Sequence, residues 1–179
     1  MIRFLKVFVL LICISLLCTV HSMAFDNNDL SKLKATRECP SCDLSNTDLS
    51  NLDMIGVRLS GANLSGSNLS GAKVPFASLD NANLSNANLS NANLNQANLN
   101  QANLAQANLF NAILSRAKLP GVDLYQANLT NADLVGADLS GANLSGANLT
   151  NAFLNHANLT GAIWINGRKC ADAKCSNCK

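Results

Sequence analysis

The chain has 179 residues, 13% of them charged, with 13 Lys and Arg against 11 Asp and Glu for a net charge of +2. Charges of one sign nowhere gather into a block, so electrostatic attraction to nucleic acid or to an anionic membrane has no basis here.

Residues 1–24 read as a secretory signal peptide. Arg3 and Lys6 make a basic start, and Val7 to Val20 is an apolar core too short to span a membrane stably. Ser22-Met23-Ala24 places small residues where a signal peptidase reads, so cleavage is expected before Phe25. Cys13 and Cys18 follow the bulky Ile12 and Leu17, so lipidation is not expected, and no stable membrane insertion is expected after cleavage. The remainder carries eleven basic and eleven acidic residues and is neutral. The expected destination is the periplasm or the medium.

Residues 25–38 read as an N-terminal cap, with a short helix expected over 26–38, Asp29 as its capping residue and Leu30 and Leu33 on its buried side. A solenoid end exposes apolar side chains and unpaired backbone, and a cap covers them. Cys39-Pro40-Ser41-Cys42 follows. It opens the main segment, 39–164.

From Leu44 to Trp164 every fifth residue is apolar, and all 25 such positions are Leu except Met54, Val74 and Trp164. Two residues earlier stands Ala, replaced by Cys42, Thr47, Leu52, Val57, Ser67 and Val122. A period of five fits no helix, because successive Leu would step roughly 140° around the cylinder. Nor does it fit a straight strand, whose side chains alternate with period two. It fits a short extended piece followed by a corner. Ala and Leu then point inward, the Asn or Asp between them points outward, and pairs such as Ser65-Gly66 turn the chain. Four corners close a square of 20 residues, so 25 units make about six coils. Stacked at ~4.8 Å, they form an all-β rod roughly 30 Å long. Residues 165–179 are a Cys-containing C-terminal cap, with a tight turn at Asn166-Gly167 and Trp164 expected to plug the open end.

Runs such as Ala82-Asn83-Leu84-Ser85-Asn86 and Ala142-Asn143-Leu144-Ser145-Gly146 resemble the pentapeptide-repeat family. The resemblance spans about two thirds of the chain and implies a right-handed quadrilateral β-helix. Both ends resemble those of secreted members: Cys-Pro-x-Cys before the first coil, and Trp-x-x-Gly-Arg-x-Cys with a second Cys eight residues later. That resemblance implies a Cys170–Cys178 disulfide and leaves Cys175 as an extra thiol, either free or joining two chains in a homodimer. Some family members mimic duplex DNA and bind type II topoisomerases. Such a protein is expected to be cytoplasmic, strongly acidic and dimeric through its C-terminal end, and this chain departs from it in charge, leader and cysteines.

Other chemistry finds little support. Two CxxC pairs, Cys39/Cys42 and Cys175/Cys178, suggest zinc. They flank opposite ends of the rod, whereas zinc needs four sulfurs at ~2.3 Å. A redox role for Cys39/Cys42 lacks a βαβ context, so a local disulfide at each end is the expected use. His156 sits at a corner, and Asp123, Asp133 and Asp138 stand where Asn usually does, with no set of nucleophile, base and orienting group. Neither a catalytic residue nor a cofactor or metal site is expected, and the core is expected to have no room for a pocket. The Asn-Leu-Ser/Thr sequons, such as Asn63 and Asn148, are written by the repeat itself.

Indexing by 20 assigns each unit to one of four faces. The face built on Met54, Val74, Leu94, Leu114, Leu134 and Leu154 differs from the others, with Ile55, Phe76, Ile113, Val135 and Phe153 outward or at its corner and Phe110 just before it. An apolar stripe on a polar rod suggests a surface for a protein partner. The expected role is thus a secreted scaffold or protein-binding module.

Overall fold

The computed structural model describes residues 27–175. From Ser41 to Gly161 every fifth residue has positive φ, and each lies at the second central position of a turn. Ala82 N–H, for example, donates to Leu79 C=O at 3.1 Å across Asp80 and Asn81, with Asn81 at φ 56°. Gly and Asn tolerate this conformation, which explains why they dominate the position. All three prolines, Pro40, Pro75 and Pro120, stand at the first central position, where their fixed φ suits the turn.

The corners fold the chain into a quadrilateral β-helix. Parallel bridges join each outward residue to the one 20 positions on, from Glu38–Arg58 to Asn143–Ile163. Around each bridge the coil below donates from its Leu N–H and accepts at its Ala C=O. Leu84 N–H reaches Asn103 C=O at 2.7 Å, and Asn103 N–H reaches Ala82 C=O at 2.9 Å. We number the faces by their Leu rows: face one begins at Leu44, face two at Leu49, face three at Met54 and face four at Leu59.

The core is one column of stacked side chains. From Leu44 to Leu144 every inward apolar residue of the Leu row is at most 1% exposed, except Met54 at 5%. Two polar residues enter the Ala row, and both are satisfied: Thr47 Oγ1 donates to Leu44 C=O and Ser67 Oγ to Leu64 C=O, each at 2.6 Å. Among the described residues no buried side-chain nitrogen or oxygen lacks a partner, so the interior meets the requirement that buried polar groups be bonded.

Helix α1, Asn27–Thr36, covers the first coil. It is shorter than the expected 26–38, and its buried anchor is Leu33, with Leu30 packed partly against the core. Asp29 lies inside its first turn rather than ahead of it, and Asp29 Oδ2 accepts Asp43 N–H at 2.8 Å. No coil lies beneath Asp43, so the carboxylate replaces the carbonyl a lower coil would supply. Cys39 is bonded to Cys42 beside it, Cα to Cα 5.4 Å.

The C-terminal cap differs from expectation. Cys170 is bonded to Cys175, Cα to Cα 4.6 Å, and not to Cys178, which lies outside the described residues. A turn in which Cys175 N–H donates to Asp172 C=O at 3.2 Å folds Cys175 back over the last coil, where it is 1% exposed. Cys175 is therefore a staple rather than the extra thiol. The expected signal peptide, residues 1–24, lies outside the described residues. Among those described, no helix is long and apolar enough to cross a membrane.

Candidate interaction surface

An outward Asn such as Asn83 or Asn128 bonds in two directions. Its Oδ1 accepts the backbone N–H two residues on, as Asn83 Oδ1 does from Ser85 at 3.2 Å. Its Nδ2 donates to the outward residue of the coil below. Asn93, Asn103 and Asn148 make only the first of these bonds among the described residues. On face two, Asn128, Asn108, Asn88 and Asn68 hand this bond down in turn, at 3.0 to 3.2 Å, to Asp48. On face one, Asn83 and Asn63 hand it down to Asp43. A carboxylate accepts without donating, which suits the first coil, where nothing below can accept. Hydrogen bonds from Ser45 and Asn63 hold the Asp43 carboxyl below its ordinary value, and those from Ser50 and Asn68 do the same for Asp48.

Face three carries no such ladder among the described residues. Its outward row is Asp53, Lys73, Asn93, Ile113, Asp133 and Phe153. Lys73 cannot accept from a following N–H, but the residue there is Pro75, which has none. On face four, Lys118 is likewise followed by Pro120. Ile113 and Phe153 lack that compensation, so Ser115 and Asn155 have no Asn or Asp oxygen for their N–H groups.

The large apolar side chains left in solvent concentrate here. Ile55, Phe76, Ile113 and Phe153 of face three are 46, 57, 40 and 56% exposed, and Phe110 at the preceding corner is 37%. Val135 is half-buried. The row is not continuous, because Asn93, Asn95 and Gln96 interrupt it in the third coil. Ile55 and Phe76 thus form one patch, and Phe110, Ile113, Val135 and Phe153 a second. Sequence reading missed Ile163 and Ile165, which are exposed on face one in the same column region as Tyr125. The period of five would have found them, since they straddle Trp164.

Among the described residues, titratable and ligating groups form no catalytic set. His156 is exposed at its corner, and Asp123, Asp133 and Asp138 each accept the N–H two residues on: Tyr125, Val135 and Ser140. Asp29, Cys39 and Cys42 place ligand atoms within 4.8 Å of one another, but the two sulfurs are bonded to each other. The C-terminal mouth departs from one expectation. Trp164 is half-buried and does not plug it, and a cavity of about 690 Å³ opens there, lined by Leu154, His156, Leu159, Trp164, Lys174 and Cys175 among others.

The family model of pentapeptide repeats, in eight copies, matches residues 42–74, 77–116, 87–124, 107–146 and 127–163. Among solved structures the chain is similar to HetL, a pentapeptide repeat protein involved in heterocyst differentiation regulation from the cyanobacterium Nostoc sp. They are 31% identical over 74% of this chain and 76% of that one, with a TM-score of 0.40. It is similar to Rfr23 from the cyanobacterium Cyanothece, 30% identical over 76% and 97% of the two chains, TM-score 0.38. It is also similar to a pentapeptide repeat protein of the Arabidopsis thaliana thylakoid lumen, 32% identical over 57% and 64%, TM-score 0.36. No curated protein matches the chain.

Proposed function

The chain belongs to the pentapeptide-repeat family, whose fold is the right-handed quadrilateral β-helix, and from that premise we propose an exported, non-enzymatic rod that binds another protein through face three. The observation that carries this reading is the gathering of five exposed large apolar side chains on one face and its corner. Two departures strengthen it. Ile113 and Phe153 forgo both the ladder bond and the turn bond that Asn would make there, each worth about 1 kcal/mol or less at an exposed site. Phe76 holds an aromatic ring at φ 59°, where the repeat otherwise favours Gly or Asn. Solenoids present their extended faces to partners in this way.

Export is the second half of the proposal. Its support is the basic start, apolar core and small-residue site of residues 1–24, together with a disulfide at each end of the rod. The leader is removed before Phe25, and the rod acts in the periplasm or the medium.

The double variant Ile113→Asn with Phe153→Asn tests the binding face, because both replacements restore the residue the repeat prefers. Thermal unfolding should occur at the same temperature or higher. Recovery of a protein cross-linked to the native chain in the exported fraction should be lost. Unchanged recovery from a folded double variant sinks the assignment of this face.

A further inference from the structure

The cap closes only half of the last coil. On face one, Leu144 and Gly146 N–H donate to Ile163 and Ile165 C=O. On face four, Leu159 and Gly161 N–H donate to Ala173 and Cys170 C=O, and at the next unit, back on face one, Ala162 C=O accepts Cys170 N–H. Faces two and three are different. The N–H groups of Leu149, Asn151, Leu154 and His156 have no acceptor among the described residues, and the C=O groups of Ala147 and Ala152 have no donor. One coil down, the equivalent N–H groups of Leu129, Asn131, Leu134 and Gly136 are bonded at 2.8 to 2.9 Å.

We propose that this open edge is a docking site for an extended peptide of a partner protein, which adds half a coil to the rod. Four free N–H groups and two free C=O groups specify the backbone: a parallel segment offering four carbonyls and two N–H groups in two steps of five residues. The chain supplies that pattern to itself lower down. In residues 127–136, Asn128, Thr130, Asp133 and Val135 C=O accept from Leu109, Asn111, Leu114 and Arg116, while Asn128 and Asp133 N–H donate to Ala107 and Ala112. Extended peptides bind sheet edges by these main-chain bonds, with alternate side chains giving specificity. The apolar cavity behind the edge takes a large inward side chain, with the half-buried Leu154 and Trp164 among its lining. Charge sets the outward residues. Lys174 stands at the cavity with His156. The complementary occupant is an acidic peptide with apolar residues five apart. This end is distinct from the lateral patches of face three, and either can fail without the other.

Amide hydrogen exchange of the intact, disulfide-bonded chain tests the proposal, using a synthetic peptide with the sequence of residues 127–136. In the free chain the amides of Leu149, Asn151, Leu154 and His156 should exchange at least about tenfold faster than those of Leu129, Asn131, Leu134 and Gly136. Saturating peptide should slow them about tenfold or more. A peptide with Leu129→Asp and Leu134→Asp should not, and one with Asp133→Lys should bind more weakly. Protection already present in the free chain overturns the proposal. If it vanishes on truncation after Cys175, the chain's own end is the occupant, and if it grows with protein concentration, a second copy is. Equal effects of the three peptides overturn it as well.

Discussion

Phe76 occupies a conformation that suits Asn, at φ 59° with 57% of its surface exposed. A left-handed residue with a bulky side chain costs roughly 1–2 kcal/mol relative to the ordinary helical region, and Phe76 gains little burial in return. Phe76→Asn should therefore raise the thermal unfolding midpoint, and, on the binding role proposed for face three, weaken partner capture. A lower midpoint would show that the ring packs usefully against the rod. The cysteines give a second prediction at this scale. Cys170–Cys175 closes a short loop, which chain entropy values at about 2 kcal/mol. Cys175→Ser should destabilise the rod by about that amount and Cys178→Ser should not. The opposite order would restore the pairing of Cys170 with Cys178. That pairing came from resemblance, and nothing in the spacing 170, 175, 178 could choose. What chooses is the turn at Asp172, which brings Cys175 back to the cavity that Leu159 also lines rather than letting the chain run on.

The elements here are rows rather than strands, and each row has its own logic. Asp43 and Asp48 terminate the ladders of faces one and two, and hydrogen bonds from Ser45 and Ser50 lead the interactions that lower their carboxyl pKa from 3.8. A carboxyl with a lowered folded pKa stabilises the folded state above its unfolded value. That contribution is lost as pH falls through the lowered value. The chain should accordingly lose stability below about pH 3.8, starting at the first coil. In Asp43→Asn with Asp48→Asn the amide oxygen still accepts from the Ser N–H and does not titrate. The acid unfolding midpoint of this variant should move to lower pH, measured by circular dichroism, and coincident acid curves would rule the ladder ends out. Helix α1 follows the same economy of edges: Asp29 spends its carboxylate on the first coil, Asp43 N–H, instead of on its own helix. The sequence marks Asp29 as a capping residue, but which backbone it caps depends on how α1 lies across the coil.

At the scale of the whole molecule, legibility divides between the lattice and its ends. The square coil is legible because each unit needs the same three things: two inward small or apolar residues, one outward residue whose backbone bridges to the next coil, and a turn tolerant of positive φ. Leu44, Asn63 and Gly66 already state them. Exposure on face three is legible for the same reason, since the period assigns each residue a direction. The ends are not periodic, and there the reading fails. Trp164 was expected to plug the rod and instead lines a cavity of about 690 Å³, because the cap spends its backbone on faces four and one. The half-open edge on faces two and three is invisible in composition. It follows only from which carbonyls the cap brings back.

Non-reducing mass spectrometry of the chain recovered from fractionated cells tests most directly the proposed exported rod stapled at both ends. The predicted result is a chain beginning at Phe25 outside the cytoplasm, with Cys39 linked to Cys42 and Cys170 to Cys175. An uncleaved, fully reduced chain in the cytoplasm would contradict it.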